Sequence, residues 1–116
     1  MPDQPLHIDD TQDSNNHRVL RLTGPLTLSN LFEFQTLVRA GRAPLTVIDL
    51  TGVPYIDSAG IGALLGAHVS AQREKRSLAL AGVNERVRNA LEITRVYQFF
   101  SVFATVGEVQ GAAAKA

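Results

Sequence analysis

The segment with the most chemical potential is Pro54-Tyr55-Ile56-Asp57-Ser58-Ala59-Gly60-Ile61-Gly62. A carboxylate and a hydroxyl stand side by side there, at the start of an apolar run with helical period. Ser58 therefore falls at or next to a helix N-terminus. Unpaired backbone N–H groups point outward at such an end, and the helix dipole favours negative charge. A phosphate on Ser58 would be solvated by those donors. Gly60 and Gly62 remove side-chain bulk, which lets another backbone approach closely. A plainer reading of the same residues is that Asp57 and Ser58 cap a helix and the glycines serve packing.

Catalytic readings fail on spacing. Ser58 and His68 are ten residues apart on one helix, about 15 Å along its axis, so they do not form a nucleophile–base pair. The G-x-S-x-G elbow is absent, because Ile56 stands where its first glycine belongs. Gly60-x-Gly62 begins like a dinucleotide fingerprint, but Leu65 occupies the third glycine position, and no phosphate loop ending in Gly-Lys-Ser/Thr exists. Asp49 and Asp57 are candidate partners in acid–base work, yet one ends a strand and the other lies across a loop. The chain has no cysteine, which removes disulfides, thiolate metal sites, a Cys nucleophile and iron–sulfur clusters. His7, His17 and His68 are scattered, without metal-site spacing. The residues predict a protein that is not an enzyme and holds no cofactor or metal.

The elements that must position this loop follow from periodicity. Leu6 and Ile8 alternate with polar neighbours as a short strand does, Thr11–Asn16 is a turn, and Arg18–Thr23 resumes a strand, giving an opening hairpin. A helix is expected over Ser29–Ala40, with Leu31, Phe34, Leu37 and Val38 on one stripe and Asn30/Glu33 as its capping pair. Leu45–Leu50 is apolar without alternation, as suits a strand covered on both faces. After the Gly52–Ser58 loop, a helix runs from Ser58 to about Arg76, with Ile61, Leu64, Leu65, His68 and Val69 facing the core. Ile61, Leu64 and Leu65 are expected against Val47, Ile48 and Leu50. Leu78–Ala81 is a buried strand, and Asn84 caps a helix to about Thr94 with Val87, Ala90 and Leu91 inward. Tyr97, Phe99 and Phe100 anchor the next turn, Val102–Ala104 is a last strand, and Thr105/Glu108 form a capping box for a terminal helix. The order β-β-α-β-α-β-α-β-α predicts an α/β fold with a mixed, mostly parallel sheet.

Size and charge narrow the role. The 116 residues, 45% hydrophobic and 19% charged, make one globular domain over residues 6–110, with loose ends at 1–5 and 111–116. Eleven basic residues balance eleven acidic ones, which argues against a nucleic-acid partner. No apolar stretch is long enough for a membrane span, and the polar start, free of Lys and Arg, does not read as a secretory signal. A cytoplasmic protein is expected. Residues 1–17 carry Asp3, Asp9, Asp10 and Asp13 with no Lys or Arg. Residues 73–95 carry Arg73, Lys75, Arg76, Arg86, Arg88 and Arg95 against Glu74, Glu85 and Glu92. These are two solvated faces, or a mildly basic surface that meets an acidic partner.

Over Val47–Leu65, with Asp57-Ser58-Ala59-Gly60 at its centre, the chain resembles the signature of the STAS domain, the family of bacterial anti-sigma factor antagonists. The likeness extends over about Leu6–Val109. After the second strand, where antagonists often carry a Gly-Glu-Leu-Asp-like stretch, this chain has Gly24-Pro25-Leu26-Thr27. The resemblance implies a partner-switching module. Its partner would be an anti-sigma factor that is also a serine kinase, with Ser58 as the phosphorylated residue and a phosphatase to reset it. ATP would belong to the kinase. The partner surface is expected to gather Leu26, Thr27, Tyr55, Asp57, Ser58, Gly60, Ile61 and Gly62, with Asn84 and Glu85 at its rim. The alternative within the family is a subunit of a larger complex, stressosome-like or lipid-transporting, that binds through the same surface without phosphorylation.

Overall fold

The computed structural model describes residues 5–115, so all but the last residue of the loose stretch expected at 1–5 lies outside the described residues. The chain runs β1 (His7–Gln12), β2 (Arg18–Thr23), α1 (Leu31–Ala40), β3 (Leu45–Gly52), α2 (Ser58–Arg73), β4 (Ser77–Ala81), α3 (Glu85–Ile93), a 3₁₀ turn at Tyr97–Phe99, β5 (Ser101–Phe103) and α4 (Val106–Lys115). The order matches the sequence expectation. The five strands lie side by side in chain order. β1 is antiparallel to β2, and every later pair is parallel.

Sequential parallel strands joined by right-handed crossovers must carry their helices on one face. The main core obeys this. Leu31 and Phe34 of α1, Leu64 of α2, and Val87 and Leu91 of α3 meet Leu20, Leu22, Ile48, Leu50 and Leu80 from the sheet. On the other face, Val19, Leu45, Val47, Ala79 and Ala81 meet α4 through Val109. β2, β3 and β4 each contribute to both clusters, and the first six residues of β3 are buried. Val47 therefore does not pack under α2. Successive strand side chains point to opposite faces, so Ile48 and Leu50 turn to α2 while Val47 turns to α4.

Two further expectations about α2 change. Its buried residues are Gly60, Ala63, Leu64, Ala67 and Ala71, so the small side chains, with Leu64, face the core. Ile61 and Leu65 are half-buried at the edge of the core. Val69 is 41% exposed. His68 is half-buried and meets the Phe100 ring edge-on at 5.4 Å. Small residues bring the helix axis close to the sheet, and a close axis shifts the contact face toward them. α2 also ends at Arg73 rather than near Arg76. The amide of Arg76 donates to Ala71 O and that of Lys75 to Gln72 O, with Lys75 at φ +58°. This is a Schellman stop built on lysine instead of glycine. α3 stops the same way with Arg95 at φ +63°.

At the other end of the chain, α4 continues through Lys115 where a loose tail from residue 111 was expected. Ala113 packs against the α4-side cluster, which supplies the missing anchor. Its cap uses the predicted pair, although Glu108 reaches the amide of Ala104 while Thr105 Oγ1 accepts from the amide of Glu108. Of the expected aromatic anchors, Phe100 is buried, Tyr97 is half-buried and Phe99 is half exposed.

β1 is an edge strand, and one cation fastens it. The buried Arg18 donates to both carboxylate oxygens of Asp10, at 2.9 and 2.7 Å, and to the carbonyl of Leu37 in α1 at 2.6 Å. The hydrogen bond from Arg18 holds the Asp10 carboxyl below its ordinary value of 3.8, against a smaller upward push from burial, and the Arg18 charge adds to the lowering.

Two outcomes are expected. Leu64→Ala should cost about 2–5 kcal/mol, whereas Val69→Ala should stay within about 0.5 kcal/mol. Urea unfolding of both variants checks the phase of α2. A carboxyl with a depressed folded pKa stabilises fully above its unfolded value and loses that contribution as pH falls through the folded one. The Asp10 share of stability should thus be intact above about pH 4 and vanish at lower pH. Thermal melts of the wild type and Asp10→Asn between pH 2 and 7 should converge at the acid end.

Candidate functional site

The site is built at the carboxyl ends of β2 and β3, where open α/β sheets place their binding surfaces. The loop leaving β2 and the loop leaving β3 run side by side. Leu26 and Ile56 form an isolated parallel bridge. The amide of Leu26 donates to Tyr55 O, and that of Asp57 donates to Leu26 O. These bonds satisfy backbone groups that would otherwise be buried unpaired. Gly60 closes the contact from above. It is buried, and a β-carbon there would run into the carbonyl of Leu26.

Asp57 is the N-cap of α2. Its Oδ1 accepts from the amide of Gly60 at 2.9 Å, and its Oδ2 accepts from the amide of Leu28 at 3.1 Å. The second bond reaches across to the turn that precedes α1. Ser58 is the first residue of the helix and is exposed. Its hydroxyl is thus presented beside a carboxylate whose two oxygens are already engaged. Asn30 does not cap α1 with its side chain. It accepts from the amide of Thr27 and donates to Pro25 O at 2.7 Å, bracing the turn between them.

The other flank is set by α3. Asn84 Oδ1 accepts from the amide of Val87, the predicted cap, while its Nδ2 donates to Val53 O at 2.9 Å. One side chain thereby ties the start of α3 to the loop that leads to Ser58. The guanidinium of Arg86 lies 5.0 Å from the centre of the Tyr55 ring, within cation–π range.

The structure brings Thr27, Tyr55, Asp57, Ser58, Ile61 and Gly62 together at this end, with exposed Asn84 and Glu85 beside them. Leu26 and Gly60 belong to its interior, since the Leu26 side chain is fully buried. Gly62 is exposed with open space where a side chain would stand. Asp49 does not join Asp57. Burial pushes its carboxyl up, but hydrogen bonds from the Thr51 hydroxyl, the Thr51 amide and Arg21 outweigh that and hold it low. Sequence reasoning missed Leu28 and Phe32, which are 67% and 72% exposed beside the site. The available signal was two apolar residues four apart that lie off the buried stripe of α1. Among the described residues, no group of His, Asp and Glu is placed to hold a metal, and no helix is long and apolar enough to cross a membrane.

The profile of the STAS domain matches residues 9–109. The chain belongs to the STAS domain family. STAS is a regulatory, non-catalytic fold. The sequence is 36% identical over 64 residues to the anti-sigma-B factor antagonists of Listeria monocytogenes and Listeria innocua. That stretch takes in 55% of this chain and 56% of theirs, so the match spans little more than half of either protein. Among solved structures, it is similar to a STAS-domain anti-sigma-factor antagonist protein of Planctomyces limnophilus, with a TM-score of 0.80 and 21% identity over 92% of this chain and 97% of that one. It is also similar to the anti-sigma factor antagonist SpoIIAA in its unphosphorylated form, with a TM-score of 0.78 and 17% identity over 95% of this STAS chain and 98% of the other.

The two glycines of the motif should respond with opposite sign. Gly60→Ala should destabilise by about 1–3 kcal/mol, because the added methyl overpacks against fixed backbone. Gly62→Ala should stabilise by about 0.5–1 kcal/mol, because it fills open space and stiffens the unfolded chain. Paired chemical denaturation curves check both.

Proposed function

We propose that this STAS domain is an anti-sigma factor antagonist switched by phosphorylation of Ser58. The unmodified chain binds an anti-sigma factor and frees the sigma factor that it holds. The anti-sigma factor is also a serine kinase and carries the ATP. The Ser58 oxygen bonds to the γ-phosphorus, ADP leaves, and the hydroxyl proton passes to a base of the kinase. The phosphorylated chain lets go. A phosphatase hydrolyses the ester with water and returns the hydroxyl.

The observation that carries this reading is the exposed hydroxyl at the first position of α2, next to Asp57. A kinase has access to it, and a phosphate there adds about −1.5 to −2 charges where the helix dipole tolerates them. The domain therefore stays folded while its surface changes. A partner site shaped for a neutral hydroxyl would have to bury that charge. Even about 2.7 kcal/mol is a hundredfold in affinity, and an unpaired buried charge costs more. The Listeria antagonists and the unphosphorylated form of SpoIIAA support the assignment of partner class and switch. In this reading, Thr27, Tyr55, Asp57, Ser58, Ile61, Gly62, Asn84 and Glu85 meet the partner, while Leu26 and Gly60 hold the surface from below. The protein works in the cytoplasm, where its sigma factor acts.

Titration of a candidate anti-sigma factor tests the switch. Ser58→Ala should bind at wild-type strength and resist phosphorylation, and Ser58→Asp should bind at least about tenfold more weakly. Gly62→Arg should block binding with the fold intact, since bulk opposes close approach. Equal affinity for the phosphorylated and unphosphorylated chains, measured with intact mass as the check on modification, would put the constitutive-subunit reading ahead.

A further inference from the structure

An N-cap needs one acceptor. Asparagine and serine supply it as well as aspartate does. Asp57 supplies two, and the amides they receive come from segments 32 residues apart, Gly60 in α2 and Leu28 before α1. Accepting through both terminal atoms is open to a carboxylate and closed to an asparagine, whose second atom is a donor. The Thr27–Asn30 turn is braced internally by Asn30, but its hydrogen bond to the start of α2 is the one from Leu28 to Asp57. Leu28 and Phe32, four residues apart, are the exposed apolar side chains on this turn and the first turn of α1. Leu28 is held toward the start of α2 by that bond through its own amide, whereas Phe32 rides on α1, which Leu31 and Phe34 fix in the core.

We propose that Asp57 is a positioning residue that clamps the Thr27–Asn30 turn to the start of α2, holds Leu28 at the end of the fold that bears Ser58, and releases the turn when Ser58 carries a phosphate. The clamp stands on the hydrogen bonds alone; the release rests on the phosphorylation reading above. A phosphate one residue away repels the carboxylate and competes with it for the first-turn amides of α2. The Asp57 side chain then loses its hold on Leu28, because the amide of Gly60 gains a stronger acceptor and the two anions move apart. The modification thus alters more than charge. It frees an exposed apolar side chain, Leu28, from a fixed place beside Phe32 of α1.

Amide hydrogen exchange on the full chain tests this. In Asp57→Asn, the Leu28 amide should exchange at least about tenfold faster, the expected effect of losing a charge-assisted hydrogen bond. The Gly60 amide, still capped by the asparagine oxygen, and the Leu26 amide, bonded to Tyr55 O, should not change. A general structural role would move all three together. In Asp57→Ala, the Leu28 and Gly60 amides should both accelerate. If these variants fold poorly, an acid titration of the wild type gives the same information, since the Leu28 amide proton shift should follow the Asp57 carboxyl. A Leu28 amide indifferent to Asp57→Asn, or to that titration, overturns the clamp. The release is read on a chain with phosphoserine incorporated at position 58, where Leu28 should accelerate as in Asp57→Asn. Unchanged Leu28 exchange there overturns the release, whatever the affinity titration says of the switch itself.

Discussion

The site depends on how closely the backbone of Gly60 approaches the carbonyl of Leu26. No methyl group fits between them. That approach lets two loops from neighbouring strands pair outside the sheet, through the Leu26–Ile56 bridge and its flanking hydrogen bonds. With the loops paired, the Asp57 carboxylate comes within reach of Leu28, and Ser58 is turned outward on the first position of α2. A larger residue at position 60 would separate the loops and lose several of these contacts at once. Glycine here serves packing first, and the exposed glycine of the motif is Gly62.

Two layers of unequal weight hold the sheet that carries this arrangement. Three helices cover one face and α4 covers the other, with β3 buried between them. The unequal cover shows in the side chains of β3 and β4. Large side chains at Ile48 and Leu50 fill the three-helix side, while Ala79 and Ala81 on the neighbouring strand leave room for α4. The end of the sheet that bears the site is stiffened by side chains that each serve two elements. Asn84 caps α3 and holds the loop after β3, and Asp57 caps α2 and holds the turn before α1.

Much of this was legible in the chain itself. Element order, the buried β3, the caps at Asn84 and Thr105, and the exposed Ser58 follow from periodicity and capping chemistry. The phase of α2 was not legible, because pattern reading credits large apolar residues and overlooks a stripe of Gly60, Ala63, Ala67 and Ala71. The end of α2 was placed too late because a left-handed stop is looked for at glycine and here falls on Lys75, whereas the end of α3 near Thr94 was legible. Asn30 had the sequence of a cap and the job of a brace. The side on which Val47 packs follows from strand alternation, which a uniformly apolar run conceals. Contacts between segments far apart, such as Leu28 with Asp57 or Arg18 with Leu37, have no local signature.

The opening strand has a consequence for how this protein behaves among its own copies. β1 lies at the rim of the sheet, and its sequence places Asp9 and Asp10 in the middle of a mostly exposed edge. An unpaired edge is a template for another chain, and acidic side chains on it repel an identical strand brought alongside. Arg18 engages Asp10 from within the same molecule, and Asp9 stands opposite Arg21 in the β1–β2 register, so each carboxylate of the rim has an arginine of β2 beside or across from it. Two such rims brought together would set Asp9 and Asp10 against their own copies, which opposes edge-to-edge pairing through β1.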